Sequence, residues 1–197
     1  MAALAVALLI GLAATVGVLY GRIPVAAAPV PAPPALAVPP PVPVEPVTGR
    51  FTEPPYACGL LTRSQFAELV PTPFSRRNGR GGCEWDSSDA KPRRYSLSIM
   101  VEFLPTEARA REFFAAQRVD ATAPRAVAGL GEEAYKTGGL TSTPFSGFTR
   151  STVVRLGNLI AKIDYMAEGV RTDRDGRLER GSRRAAEWAV RALNRLG

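Results

Sequence analysis

In YSLSIMVEF, residues 95–103, Tyr95, Leu97, Ile99, Val101 and Phe103 alternate with Ser96, Ser98, Met100 and Glu102. That period of two is what a half-buried strand requires, and one greasy face beside one mostly polar face predicts an antiparallel sheet covered on one side. Thr149 to Leu156 and Leu159 to Met166 read as two more strands around Gly157-Asn158, a two-residue hairpin signal. Pairing Leu156 with Leu159 sets Val154 beside Ala161 and Thr152 beside Ile163, one apolar face again. After a Gly-rich turn, a short strand is expected over Glu84 to Asp86.

Other stretches switch to the helical period. Thr62 as N-cap with Gln65 three residues on makes a capping box, and Leu61 before the cap can pack on Phe66 as a hydrophobic staple. Pro71 and Pro73 should end this helix near Val70. Pro105-Thr106 opens a second helix with Thr106 as cap and Ala110, Phe113, Phe114 and Gln117 along its inward side. A last helix is expected from about Ser182, carrying Ala185, Trp188, Ala189, Leu193 and Leu196 at helical spacing. The order helix, hairpin, helix thus occurs twice, which hints at internal duplication. The predicted class is α+β, an antiparallel sheet with helices packed on it and a C-terminal helix.

The first 55 residues carry no such core pattern. Ala2 to Tyr20 is uncharged, and as a helix it would be about 28 Å long, nearly enough to span a hydrocarbon core. It reads as a membrane anchor or a signal peptide. Ala26-Ala27-Ala28 resembles a cleavage site, but Pro29 would follow the cut, so the uncleaved anchor is preferred. No cysteine follows the run, so there is no site for lipid attachment. Arg22 alone would place the domain in the cytoplasm by the positive-inside rule, while the cysteine pair and the linker argue for the outside. Twelve of the 18 prolines fall between Pro24 and Pro55, enforcing extended polyproline backbone that can reach on the order of 100 Å. That stretch is either a stalk or a spacer with no distance requirement. The expected divisions are residues 1–22 as N-terminal anchor or signal, 23–55 as Pro-rich linker and 56–197 as the folded domain.

Charge adds an ambiguity. The net charge is +7 and the pI about 10.0, which invites a nucleic-acid reading. Of 25 basic residues, however, 22 are Arg and only Lys91, Lys136 and Lys162 are Lys, a bias that GC-rich codon usage explains. The basic surface that remains would face anionic lipid headgroups or phosphorylated wall polymers outside a cell, and no nucleic-acid partner is expected. Arg171, Arg174, Arg177, Arg180, Arg183 and Arg184 lie close in sequence and form a candidate anion-binding patch; a solvated face partly balanced by acids is the plainer reading.

Catalytic chemistry finds little support. The chain has no histidine, which removes Ser-His-Asp and Cys-His arrangements and the commonest transition-metal ligand. Gly129-Leu130-Gly131-Glu132-Glu133-Ala134 matches a dinucleotide pattern as letters. No long strand precedes it, Ser151 stands where an acid is needed, and two glutamates would repel a pyrophosphate, so a structural turn is expected. Asp173-Arg174-Asp175-Gly176 resembles a fragment of a calcium loop with failed spacing, hence an exposed turn. No cofactor and no metal are predicted. Paired carboxylates for acid-base work would be Glu132 with Glu133 or Asp86 with Asp89; a hydrolase or transferase using Glu132 or Asp164 is the alternative to a non-catalytic module.

The only two cysteines are Cys58 and Cys83, without a CxxC, so whatever Cys83 does it does with Cys58. Cys58-Gly59-Leu60-Leu61-Thr62 leads a helix, Cys83-Glu84-Trp85 leads a strand, and Gly129-Leu130-Gly131-Glu132-Glu133-Ala134-Tyr135 lies between the halves. In these motifs, over roughly Tyr56 to Leu196, the chain resembles a family of small actinobacterial envelope proteins, secreted or lipid-anchored, of unknown function. The resemblance implies a Cys58–Cys83 bridge, a location outside the cytoplasmic membrane and a fold related to the extracytoplasmic sensor domains of some actinobacterial kinases. It brings no catalytic residues. Many members are lipoproteins, and this chain lacks the anchoring cysteine, so the apolar helix itself would hold it. The bridge would close a loop of 26 residues and stabilise the domain by roughly 3.5 kcal/mol. The expected role is therefore a membrane-tethered extracytoplasmic binding or sensing module, its partner an envelope ligand or a membrane or secreted protein.

Overall fold

The computed structural model describes residues 46–71, 75–79, 81–87, 94–141 and 146–197, with 75–79 described by backbone alone. The expected anchor, most of the Pro-rich linker and Asp89 lie outside the described residues. Among the described residues no helix is long and apolar enough to cross a membrane.

Where the local signal is strong, the elements form as the pattern dictates. Strand β3 runs Tyr95–Phe103, and Tyr95, Leu97, Ile99 and Val101 are buried on one face while Met100 and Glu102 are exposed on the other. Helix α1, Arg63–Leu69, is capped by Thr62, whose hydroxyl accepts from Gln65 N while the Gln65 side chain accepts from Thr62 N. Helix α2, Glu107–Asp120, is capped by Thr106, which accepts from Arg109 N.

Seven antiparallel strands form one sheet in the order β1-β2-β3-β7-β6-β5-β4. The remaining strands are β1 Ser75–Gly79, β2 Gly82–Asp86, β4 Arg125–Ala126, β5 Glu133–Thr141, β6 Gly147–Leu156 and β7 Leu159–Glu168. The register of β6 on β7 pairs Leu156 with Leu159, Val154 with Ala161 and Thr152 with Ile163, as the hairpin predicts. Each expected hairpin gains a strand. β1 turns the first pair into a three-strand meander entered from a helix, β5 extends the second and is itself preceded by the two-residue β4, and the two meanders join where β3 pairs β7. β5 escapes a pattern reading because Gly138 and Gly139 interrupt its alternation.

One sheet face carries the main core, with Trp85, Leu97, Ile99, Ile163 and Tyr165 buried against α1 and helix α3, Arg177–Leu193. The second face is not left bare, contrary to expectation. Phe114 of α2 packs there on Tyr135, Val153 and Ile160, with Phe114 and Tyr135 edge to face at 5.2 Å. The consecutive apolar runs Val153-Val154 and Leu159-Ile160-Ala161 account for this, since successive strand residues point to opposite faces and both must then be covered.

Three expectations are corrected. Phe113 is 39% exposed, so the inward side of α2 reduces to Ala110 and Phe114. α3 starts at Arg177, five residues before Ser182, because Asp173 caps it: its carboxylate accepts from Leu178 N at 3.0 Å and Glu179 N at 2.9 Å. Leu196 lies beyond the helix and is 64% exposed. The fold also takes in residues that composition assigned to the linker. Thr48 N donates to Pro105 O, and Phe51 is buried with Asn158 donating to its carbonyl and accepting from its amide.

Gly181 shows how tightly α3 lies on the sheet. A Cβ at this position would meet the Tyr165 ring at 2.5 Å. Helix propensity alone would reward Gly181→Ala by up to ~1 kcal/mol, but overpacking a core contact costs about 1–3 kcal/mol. The expected result is a net loss near 1 kcal/mol in chemical denaturation; a stabilised variant would disprove the close packing.

The Tyr165 hydroxyl donates to Leu69 O at 2.5 Å, and burial pushes its phenol up to about 12, against an ordinary value of 10.0. Burial also raises Tyr135. The folded state therefore holds these protons more tightly than the unfolded chain does, so stability is intact below pH 10 and falls as pH rises toward 12. In an alkaline titration followed by phenolate absorbance, these two tyrosines should ionise together with unfolding. Full ionisation near pH 10 with the fold intact would contradict it.

Candidate functional site

Because β-strand side chains alternate, the polar half of each alternation collects on one surface, the face of the sheet that α2 covers only at one end. Register brings residues distant in sequence into rows. Glu84 of β2 pairs Ser98 of β3, Ser98 pairs Asp164 of β7, Asp164 pairs Ser151 of β6 and Ser151 pairs Thr137 of β5. On one side of this row lie Met100, Lys162, Val153 and Tyr135; on the other lie Ser96, Met166, Thr149 and Gly139. With Gln117, Asp120 and Thr122 at the end of α2 as a wall, these strands enclose an open groove of about 850 Å³.

Asp164 sits at its centre. Oδ2 stands 3.3 Å from Lys162 Nζ, while Oδ1 is shielded from solvent and meets no hydrogen-bond donor among the described residues. A shielded carboxylate oxygen without a donor is unfavourable and uncommon in folded proteins. At the far end of the floor, Asp86 is bound by Arg94, with Nε to Oδ1 at 2.6 Å, and the carboxylate partner raises the Arg94 pKa. Asp86 is thus held as half of an ion pair.

The other acids singled out by sequence have structural work. Glu132 and Glu133 both bind Arg155, each at 2.6 Å, and the Arg155 side chain is only 5% exposed. Burial opposes the Arg155 charge, the two glutamates outweigh it, and its pKa is raised. Both carboxylates are thus partnered by one guanidinium. The glycine motif ahead of them is a turn leading directly into a strand: Gly129 and Gly131 have φ of 72° and 62°, and a Cβ on Gly131 would lie 2.7 Å from Arg155 O. Among the described residues no group of three acids, cysteines or histidines is placed to hold a metal ion.

The arginine patch divides in two. Arg171, Arg174 and Arg177 line a shallow pocket of about 360 Å³ with Asp173, Asp175 and Tyr95, and the Arg177 guanidinium lies 4.3 Å from the centre of the Tyr95 ring. Arg180 follows on the exposed face of α3, and Arg183 and Arg184 are drawn to Glu187 and Glu68. The first amides of α3 are already engaged: Arg177 N donates to Asp175, and Leu178 N and Glu179 N donate to Asp173. Asp173 is no exposed turn residue either; its side chain is 1% exposed.

Cys58 and Cys83 form a disulfide, with a Cα–Cα distance of 5.0 Å. It ties the single turn Ala57–Gly59 to β2, and Trp85 on the same strand face stacks on Phe66 at 5.2 Å. A bridged pair in a domain of this kind belongs to an oxidising compartment.

No protein-family model and no curated protein matches the chain. Among solved structures, one from Bacteroides thetaiotaomicron VPI-5482 is similar over 55% of this chain and 40% of that one, at 9% identity and a TM-score of 0.34. Another, LpqN, involved in cell envelope biogenesis of Mycobacterium tuberculosis, is similar over 60% of this chain and 78% of that one, at 15% identity and a TM-score of 0.28. Scores this low carry no argument about this chain. The resemblance to actinobacterial envelope proteins continues to rest on the short motifs around Cys58, Cys83 and Gly129.

The groove floor was half visible in sequence. Alternation places Ser96, Ser98 and Met100 on a polar strand face, and nothing marked Ser151, Thr137 or Thr149 as their neighbours. Only the strand order brings them together.

Proposed function

We propose that the chain is a non-catalytic, membrane-tethered binding or sensing module on the extracytoplasmic side of the cytoplasmic membrane, and that the sheet groove takes the ligand. The observation that carries the reading is the groove of about 850 Å³, floored by strands, with the part-exposed Asp164 carboxylate at its centre. The Cys58–Cys83 bridge supports the outside location. The uncharged run Ala2 to Tyr20 is the proposed tether and the proline-rich stretch the stalk. Ser98 and Ser151 flank Asp164, but the chain has no histidine to pair with a serine nucleophile, which favours binding over acyl transfer. Asp164 is the residue a hydrolase or transferase would use, and it keeps that second reading alive.

Two measurements test the proposal. Protease added to intact cells should remove the domain, and natively isolated protein should contain no free thiol; a protected domain with two free thiols would sink the outside location. Crosslinking in membranes should capture envelope material that Ser98→Trp, which fills the groove floor, no longer captures at unchanged Tm. Capture unaffected by Ser98→Trp would remove the groove as the site.

A further inference from the structure

The chemistry of the groove narrows the ligand further, and this step rests on the groove being the binding site. Asp164 is already balanced in charge by Lys162 at 3.3 Å, and its side chain is 21% exposed in the groove, so its accessible oxygen, Oδ2, can take a hydrogen-bond donor from a ligand without needing a cation. An anion would face Asp164, Asp120 and Glu84 around the same groove. The partners on either side of Asp164 in the sheet are the hydroxyls Ser98 and Ser151, and Thr137 follows in the row. Neighbouring side chains across a sheet stand about 4.5–5.5 Å apart at Cβ, so hydroxyls on separate carbons of one small molecule can meet several members of the row at once.

A hydroxyl both donates and accepts, and the groove offers both kinds of partner: Ser98 and Ser151 do either, Thr137, whose proton goes to Thr122 O at 2.5 Å, accepts, Lys162 donates and Asp164 accepts. We infer that the groove recognises an uncharged polyhydroxyl group, with at least one hydroxyl donating to Asp164. Met100, Met166 and the exposed Leu140 border the same floor and offer an apolar margin. The polyol can therefore be free or the headgroup of an amphiphile.

The experiment uses the full chain in nanodiscs and four probes: methyl glucoside, and three amphiphiles with one octyl tail and a glucoside, ammonium or sulfate head, below their micelle thresholds. Binding is read from amide chemical shifts at Ser98, Ser151 and Asp164 and from the concentration dependence. The glucosides should bind at least tenfold more tightly than the ammonium or the sulfate. Asp164→Leu should abolish that preference, while Arg183→Ala, far from the groove, should leave it unchanged. Equal affinity of the two glucosides assigns the site to a free polyol; a gain only with the tail assigns it to a headgroup. Ammonium or sulfate bound as tightly as glucoside, or a preference that survives Asp164→Leu, overturns the inference and leaves the groove itself standing as a binding site. Silence from all four probes also overturns it, and the groove then stands or falls on the Ser98→Trp capture result.

Discussion

Replacing Cys58 and Cys83 together by alanine is expected to lower the unfolding free energy by about 3.5 kcal/mol, and the melting temperature by about 10 °C, in the oxidised protein. The bridge spans a sequence separation of 25 and removes from the unfolded chain the freedom of that whole loop. The loop contains α1 and β1, so the loss should appear first there. α1 is short, Arg63–Leu69, and β1 is an edge strand paired only with β2. Both cysteines are buried, so the measured loss carries the packing of the two sulfur atoms along with the crosslink, and the crosslink is the larger part. Calorimetry with and without reductant checks it: reductant should bring the natural protein to the variant's stability and leave the variant unmoved. A loss under 1 kcal/mol would mean that packing of Trp85 on Phe66 holds this end without the bridge.

Asn158→Leu should cost about 3 kcal/mol and free the segment that precedes Tyr56. Asn158 is 0% exposed, and its side chain accepts from Phe51 N and donates to Phe51 O and Leu104 O, each at 2.9 Å. Leucine has nearly the same volume but leaves those three backbone groups without a partner, and each buried orphan costs about 1–3 kcal/mol. Arg50 then becomes the diagnostic site. Limited trypsin digestion should cut there in the variant well before it cuts the natural protein, with denaturation reporting the free energy. An unchanged digestion pattern would show that Phe51 alone, buried in the main core, docks the segment.

Asn158 also marks the boundary between local and tertiary information. As half of Gly157-Asn158 it reads as a hairpin turn, and the turn does form, with Gly157 at φ 59° and Leu156 paired to Leu159. That it clamps a segment 107 positions away is invisible to any local pattern. Asp173 behaves likewise. Its spacing resembles a broken calcium loop, yet it caps α3 and reaches Arg150 at 3.4 Å. The six arginines lie close in sequence and divide between a pocket and the surface of α3 once that helix is in place.

By itself the sequence determined β3, the β6–β7 hairpin, the caps of α1 and α2 and the availability of one cysteine pair. These depend on interactions within a few residues, where alternation, capping hydroxyls and glycine turns act directly. Only the tertiary structure decided that β1 and β5 complete two meanders, that α2 covers one end of the polar face, and that Ser98 of β3 lies beside the Asp164–Ser151 pair set by the β6–β7 register. Those outcomes depend on which strands lie side by side and in what register, a choice made by burying apolar surface from the whole chain at once.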